Sequence, residues 1–146
     1  GVVGENIAPS ASLAVSGNKT LTNSPLLLVD EQADLRDNGG RWISNQSAPA
    51  WVEFRWETPQ KIAAARIISG YAQGGGFVAP IEDFVIQYAD GTVTWREIPA
   101  TQTTGNDAID WSVAFDAVET DCIRVLITKT QDDWARVWEV SLYEVP

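Results

Sequence analysis

The sequence contains no histidine, no methionine and a single cysteine, Cys122. Without histidine, a Ser-His-Asp or Cys-His nucleophile system is excluded, and so is any histidine-ligated metal. One cysteine allows neither an intrachain disulfide bond nor a zinc cluster. Any bound metal should therefore be a hard ion that prefers oxygen ligands, such as calcium.

Basic residues are also scarce, because 10 Lys and Arg stand against 20 Asp and Glu, for a net charge of −10. Nucleic acids and anionic membranes attract cationic surfaces, so we expect neither as a partner. No apolar run approaches the ~20 residues of a membrane-spanning helix. The chain starts at Gly1 without a secretory signal, and we expect it to be part of a larger protein.

The hydrophobic residues, 45% of the 146, follow a period of two. In the segment 51–56, for example, Val52, Phe54 and Trp56 share one face of a strand. The length and this pattern predict a single domain over 1–146, an all-β sandwich of about eight antiparallel strands. We expect strands near 51–56, 62–69, 83–89, 93–98, 112–115, 122–128 and 136–143, with a weaker one near 11–15.

Only residues 28–35 suggest a helical turn, and Asp90-Gly91 is typical of a tight hairpin. If successive strands run antiparallel, their connections alternate between the two ends of the sandwich. One set is short, namely 57–61, 90–91 and 116–121. The other set is long, namely 30–50, 70–82, 99–111 and 129–135. We expect the long connections to meet at one end and to carry the binding site.

Several short motifs follow one another in a distinctive order, namely Asn6–Ala11, Leu28–Asp30, Asp37–Ser44, Trp51–Phe54, Phe84–Tyr88 with Asp90-Gly91 and Trp95, Ile123–Val125, and Ala135–Val140. Their order resembles that of the discoidin (coagulation factor 5/8 type C-like) family. The resemblance covers about residues 6 to 144. It implies a jelly-roll, galactose-binding domain-like sandwich. The paired cysteines of animal members are missing, which favours the bacterial branch.

In bacterial proteins such domains are commonly family 32-type carbohydrate-binding modules. The resemblance therefore implies a non-catalytic, extracellular (secreted or cell-surface) module. It would act as a monomer, bind a polysaccharide or oligosaccharide, and tether a covalently linked glycanase or polysaccharide lyase. Two alternatives stay open: an adhesion module that binds a protein or membrane surface, and a small glycoside-cleaving enzyme with two carboxylates.

The resemblance also implies a structural calcium ion in the loop after the first strand. The matching positions are Asp30 and Glu139, with Asp37 or Asn38 as additions. The loop 30–42 is rich in oxygen donors, as calcium requires. The alternative is that these acids are solvated loop charges and that Glu139 pairs with an arginine.

Aromatic side chains in the long connections are candidate sugar platforms, because a ring face can stack on the C–H face of a pyranose while nearby carboxylates accept its hydroxyl groups. Plain packing is the alternative for each ring. The candidate carbohydrate-binding residues are Tyr71, Gln73, Phe77, Trp111, Asp132, Asp133, Trp134 and Arg136. The tryptophans expected in the core are Trp42, Trp51, Trp56, Trp95 and Trp138.

Overall fold

The computed structural model describes residues 4–34, 36–91, 94–132 and 134–146 and confirms the all-β prediction. Its strands are β1 (Ser12–Val15), β2 (Trp42–Ile43), β3 (Ala50–Ser69), β4 (Tyr71–Gln73), β5 (Gly76–Val78), β6 (Asp83–Ala89), β7 (Trp95–Glu97), β8 (Asp110–Lys129) and β9 (Arg136–Glu144). Short 3-10 helices span Ala8–Ser10 and Pro25–Val29. The helical turn expected at 28–35 thus ends at Val29, and Leu35 lies outside the described residues. No helix in the described ranges is long and apolar enough to cross a membrane.

Two strands are much longer than the sequence predicts. β3 and β8 pair antiparallel from Ala50↔Ile127 to Ile68↔Asp110, with register shifts between Arg55 and Gln60 and between Ile62 and Ala64. The segments 57–61 and 116–121 are therefore parts of continuous strands rather than loops. A register shift of this kind bends and twists a strand pair, and here it turns both strands from one layer of the sandwich into the other.

The core lies between the two halves of these bent strands. Val52, Phe54 and Trp56, from the first half of β3, pack in one cluster with Ile62 and Ile67 from the second half. β1, β6 and β7 extend the first layer, while β9 and β2 extend the second. The result is an antiparallel jelly-roll β-sandwich, as expected.

The tryptophans divide between the core and the surface. Trp42, Trp56 and Trp138 are buried, as predicted. The prediction for Trp51 and Trp95 is wrong, because both are only half-buried. Val52 faces the core, so its neighbour Trp51 lies on the opposite face of the strand. The Trp95 ring is covered by the Arg124 guanidinium, whose central carbon lies 4.2 Å from the ring centroid.

The segment between Ser69 and Val78 forms an ordered hairpin of β4 and β5 with Gly74 and Gly75 at its tip. Both glycines have positive φ, of 60° and 82°, which tight hairpin turns require. Gly70, at the base of the hairpin, has φ 116°. Its N–H donates to the Arg136 carbonyl at 2.9 Å, which attaches the hairpin to β9.

Gly70→Ala should destabilise the domain clearly more than Gly75→Ala. At both positions alanine must adopt a positive φ, at a cost of about 1–2 kcal/mol. At Gly70, however, a β-carbon would also collide with the Val78 carbonyl oxygen, whereas nothing lies within 4 Å at Gly75. Urea unfolding of both variants checks this. Equal losses of unfolding free energy would contradict the proposed role of Gly70.

Candidate functional site

The four long connections meet at one end of the sandwich, as the alternation of loops predicts. Segment 30–50 contacts segment 70–82 through Asn38 and Ala72, and segment 99–111 contacts segment 70–82 where the Asn106 N–H donates to the Glu82 carbonyl at 2.9 Å. Segment 129–135 joins them beside Ser44, whose hydroxyl accepts from the Ala135 N–H at 2.9 Å. We call this surface the loop end. The three segments expected as short connections, two of which are bends within β3 and β8, line a cavity elsewhere, formed by Pro59, Tyr88–Gly91 and Glu119–Asp121.

Asn38 connects the hairpin to the neighbouring loop. Its amide nitrogen donates to the Ala72 carbonyl at 3.1 Å, and its amide oxygen accepts from the Ala72 N–H at 2.8 Å. Asn38 thus pairs with strand β4 as a neighbouring strand would. Arg41 adds a second connection, because its guanidinium donates to the carbonyls of Asn38 and Gly70 at 3.1 and 2.9 Å.

Aromatic rings and cations alternate across the middle of the loop end. The Arg136 guanidinium lies 5.2 Å from the Tyr71 ring centroid and 5.7 Å from that of Trp134. The Lys19 ammonium lies 3.8 Å from the Trp134 centroid. Asp132 accepts from Arg136 at 2.6 and 2.5 Å and fixes that guanidinium. We call Lys19, Trp134, Arg136 and Tyr71 the aromatic–cation row.

The other predicted sugar contacts differ in position. Gln73 is exposed near the hairpin tip, and Phe77, which is 42% exposed, packs edge-on against Trp138. Trp111 is not in a loop. It lies in β8, packs against the core and meets Phe84 edge-to-face at 4.9 Å, so the expectation of a loop platform is wrong for this residue. Asp133 lies outside the described residues.

The loop end carries basic as well as acidic side chains. Five of the ten basic residues lie there, namely Lys19, Arg36, Arg41, Lys129 and Arg136. Arg41 is buried beneath the others, and burial, together with the charge of Arg136, holds its pKa below the usual value. Arg36 pairs with Asp110 at 3.4 Å and lies over the Phe77 ring.

Glu139, a predicted calcium ligand, is a buried carboxylate that forms no ion pair among the described residues, although Arg66 lines the same cavity. It is 4% exposed, and neither carboxylate oxygen has a hydrogen-bond partner among the described residues. Burial and, next, the charge of Asp30 raise the pKa of Glu139 to about 8. Glu139 also lines a cavity of about 210 Å³ with Glu31 and Asp34. The expected alternative, an arginine paired with Glu139, is not found in the described ranges.

The rest of the predicted ligand set is not assembled around Glu139. Both amide atoms of Asn38 bind Ala72, which removes its side chain from the set. The Asp37 carboxylate accepts from the Gly39 N–H at 2.8 Å, and the Asp37 carbonyl accepts from the Trp138 indole. Among the described residues, no group of three or more acidic or cysteine side chains could hold a metal. A cation at Glu139 would therefore depend on Asp30 and on main-chain oxygens.

Sequence reasoning missed two residues of the loop end. Lys19 lies in the connection between β1 and β2. This part of the chain is not among the long connections that the sequence places at the loop end. Its N–H donates to the Ile43 carbonyl at 2.8 Å, which brings it to Trp134. Asn38 was expected at a metal instead of at the hairpin. No local pattern indicates either role, because both depend on partners far away in the sequence.

Comparison with known proteins identifies the family. Residues 10–140 match the F5/8 type C domain. The chain belongs to this family. No curated protein sequence matches it significantly.

Solved structures share the fold of this F5/8 type C domain. Chitosan-binding module 2 of a chitosanase/glucanase from Paenibacillus sp. IK-5, solved with chitotriose, is 21% identical with a TM-score of 0.76, over 94% of this chain and 99% of that one. The family 32 carbohydrate-binding module of EndoD from Streptococcus pneumoniae is 19% identical with a TM-score of 0.77, over 96% and 99%. A putative α-L-fucosidase from Bacteroides thetaiotaomicron is 13% identical with a TM-score of 0.79, over 97% of this chain but 29% of that one.

Asn38→Ala should release the hairpin without unfolding the domain. The Ala72 N–H would lose its acceptor, so its hydrogen exchange should accelerate at least tenfold, while the melting temperature falls only slightly because the core is untouched. Asn38→Asp is the matched control, since it keeps the oxygen that accepts from Ala72. Unchanged exchange in Asn38→Ala would show that the side chain does not hold the hairpin.

Proposed function

We propose that this domain is a non-catalytic carbohydrate-binding module. The observation that carries the proposal is the aromatic–cation row, in which an ion-paired guanidinium stands between two half-buried rings at the loop end. Rings bind the C–H faces of sugars, and fixed polar groups orient the hydroxyl groups. The chitotriose complex of the Paenibacillus module supports a sugar ligand for this fold.

A binding role fits the carboxylates better than a catalytic one does. Glycoside hydrolysis uses one carboxylic acid as a proton donor and a second carboxylate as base or nucleophile. At the loop end, Asp132 is paired with Arg136, and Asp110 accepts from Arg66 at 2.8 and 2.6 Å. Arg66 holds the pKa of Asp110 below its usual value. Asp110 is therefore poorly suited to donate a proton.

We further propose that the module tethers a covalently linked polysaccharide-degrading enzyme outside the cell. A weak site becomes useful in this arrangement, because linkage raises the effective concentration of substrate near the catalytic domain. The likeness to part of the much longer α-L-fucosidase chain supports this organisation.

Trp134→Ala and Tyr71→Ala should each weaken polysaccharide binding without unfolding the domain. Loss of an aromatic anchor costs about 2 kcal/mol, or about thirtyfold in affinity. Affinity electrophoresis across a panel of soluble polysaccharides measures the effect. Trp95→Ala is the control, since Trp95 is also half-buried and lies under an arginine, but pairs with Ala89 near the short connections. Full affinity in both loop-end variants would refute the proposed site.

We also propose that calcium binds beside Glu139 and Asp30. A buried carboxylate without a partner costs free energy that a cation would offset. Asp30, whose charge raises the pKa of Glu139, and nearby main-chain carbonyls would supply oxygen ligands of the kind that calcium prefers. The ion would neutralise Glu139 and fasten the loop after Asp30 to β9. Its contribution is structural.

A chelator should lower the melting temperature, and calcium but not zinc should restore it. At a free calcium concentration of one hundred times Kd the gain is about 2.7 kcal/mol, or about 5–10 °C for a domain of this size. Glu139→Gln should abolish the response to calcium yet melt no lower than the wild type in chelator, because it removes the buried charge. Asp116→Asn, on exposed β8, should respond like the wild type. No shift after exhaustive chelation would refute the metal.

An adhesion role is the second candidate, and two exposed leucines favour it. Leu21 is 94% exposed and Leu26 is 67% exposed. Apolar residues of this kind can insert into a membrane when cations surround them, but the net charge of −10 opposes an anionic bilayer. Co-sedimentation with liposomes tests this role, and binding that Leu21→Ser abolishes would favour it over the carbohydrate site.

A further inference from the structure

The most exposed cation of the aromatic–cation row is held against a ring. The Lys19 ammonium lies 3.8 Å from the Trp134 centroid, within the range of a cation–π interaction. The main chain around it is fixed, because the Lys19 N–H donates to the Ile43 carbonyl and the Trp42 indole donates to the Gly17 carbonyl at 3.1 Å. β2 thus holds the main chain of Lys19 beside Trp134.

This arrangement affects neutral and acidic sugars differently. The ammonium covers one face of the Trp134 ring, and a neutral pyranose needs an open ring face for its C–H face to stack on. A neutral sugar that stacks on the covered face would have to displace Lys19, which would break the contact between the ammonium and the ring. A sugar carboxylate could instead pair with the ammonium at the edge of the ring, so that the cation–π contact is kept.

The other cations of the loop end have partners within the chain. Ion pairs neutralise three of them, namely Arg36 with Asp110, Lys129 with Glu82 and Arg136 with Asp132. Arg41 is 6% exposed and donates to two main-chain carbonyls. Lys19 is exposed and forms no ion pair within the part of the chain that the structure describes. Among those described residues, no carboxylate competes with a ligand for its charge.

We propose that the aromatic–cation row selects polysaccharides whose sugars carry a carboxylate, and that Lys19 is the residue that selects them. This proposal rests on the proposed carbohydrate-binding function and adds the charge class of the ligand. A uronic acid unit would place its carboxylate on Lys19 and its ring beside Trp134 and Tyr71. A polycationic glycan such as chitosan would be repelled by the same ammonium.

Charge-matched polymers test this selection directly. Three pairs of polymers differ mainly in their content of free carboxylate: polygalacturonate and its methyl ester, alginate and its propylene glycol ester, and carboxymethyl cellulose and hydroxyethyl cellulose. Chitosan carries the opposite charge. In each pair that binds, affinity electrophoresis should show the acidic member bound about fivefold more tightly at low salt. The preference should shrink as salt rises to about 1 M, where charges are screened beyond about 3 Å.

Lys19 variants separate selection from binding. Lys19→Met should remove the preference for the acidic polymers, and Lys19→Glu should reverse it toward chitosan. Lys61→Met changes the net charge equally at an exposed site in the bend of β3 and should keep the preference. Tighter binding of the neutral or cationic polymers by the wild type would overturn the proposal while leaving carbohydrate binding intact. Failure to bind any polymer would refute the proposed function itself.

Discussion

The continuous pairing of β3 with β8 is the constraint on which the rest of the structure depends. Because the two strands bend together, their main-chain hydrogen bonds continue from one layer into the other. In each layer, further strands pair with the half of β3 or β8 that lies there. The bend also returns both ends of β3 to the same side of the molecule, since Gly70 donates to Arg136 and Ser44 binds Ala135. Connections from distant parts of the chain therefore meet at the loop end.

The loop end combines a rigid base with side chains that face outward. Trp138 connects the base to the outward-facing side chains. Its ring is buried against Ile68, its indole N–H donates to the Asp37 carbonyl at 2.8 Å, and its ring lies nearly perpendicular to that of Phe77, with 5.7 Å between the centroids. Asn38 and Arg41 then bind the main chain of the hairpin. A ligand would thus meet Tyr71 and Trp134 already in position. Binding would therefore cost little side-chain conformational entropy.

Features with local causes could be predicted from the sequence, and features with distant causes could not. A period of two indicates a strand, and alternation of connections places the loops. Continuity of β3 through 57–61 leaves no such pattern, because polar residues at an exposed bend are also typical of a loop. Trp111 follows a polar segment, which is typical of a loop. In the structure, however, Trp111 pairs with Ile67 of β3, and its ring packs against the core. The position of Lys19 depends on Ile43, which no local pattern reveals.

Total charge is a poor guide to the charge of a small site. The net charge of −10 repels anionic partners as a whole. Salt screens this repulsion at distances beyond the Debye length, which is about 8 Å in physiological salt, so the distant charges have little effect on a bound ligand. Within the loop end, the field that a ligand experiences depends on the few unscreened charges in contact. Asp132 cancels Arg136, and main-chain carbonyls solvate Arg41, so Lys19 is the exposed cation of the aromatic–cation row that has no carboxylate partner among the described residues. An acidic protein can thus carry a site for an acidic sugar, provided that one lysine is fixed where the sugar binds.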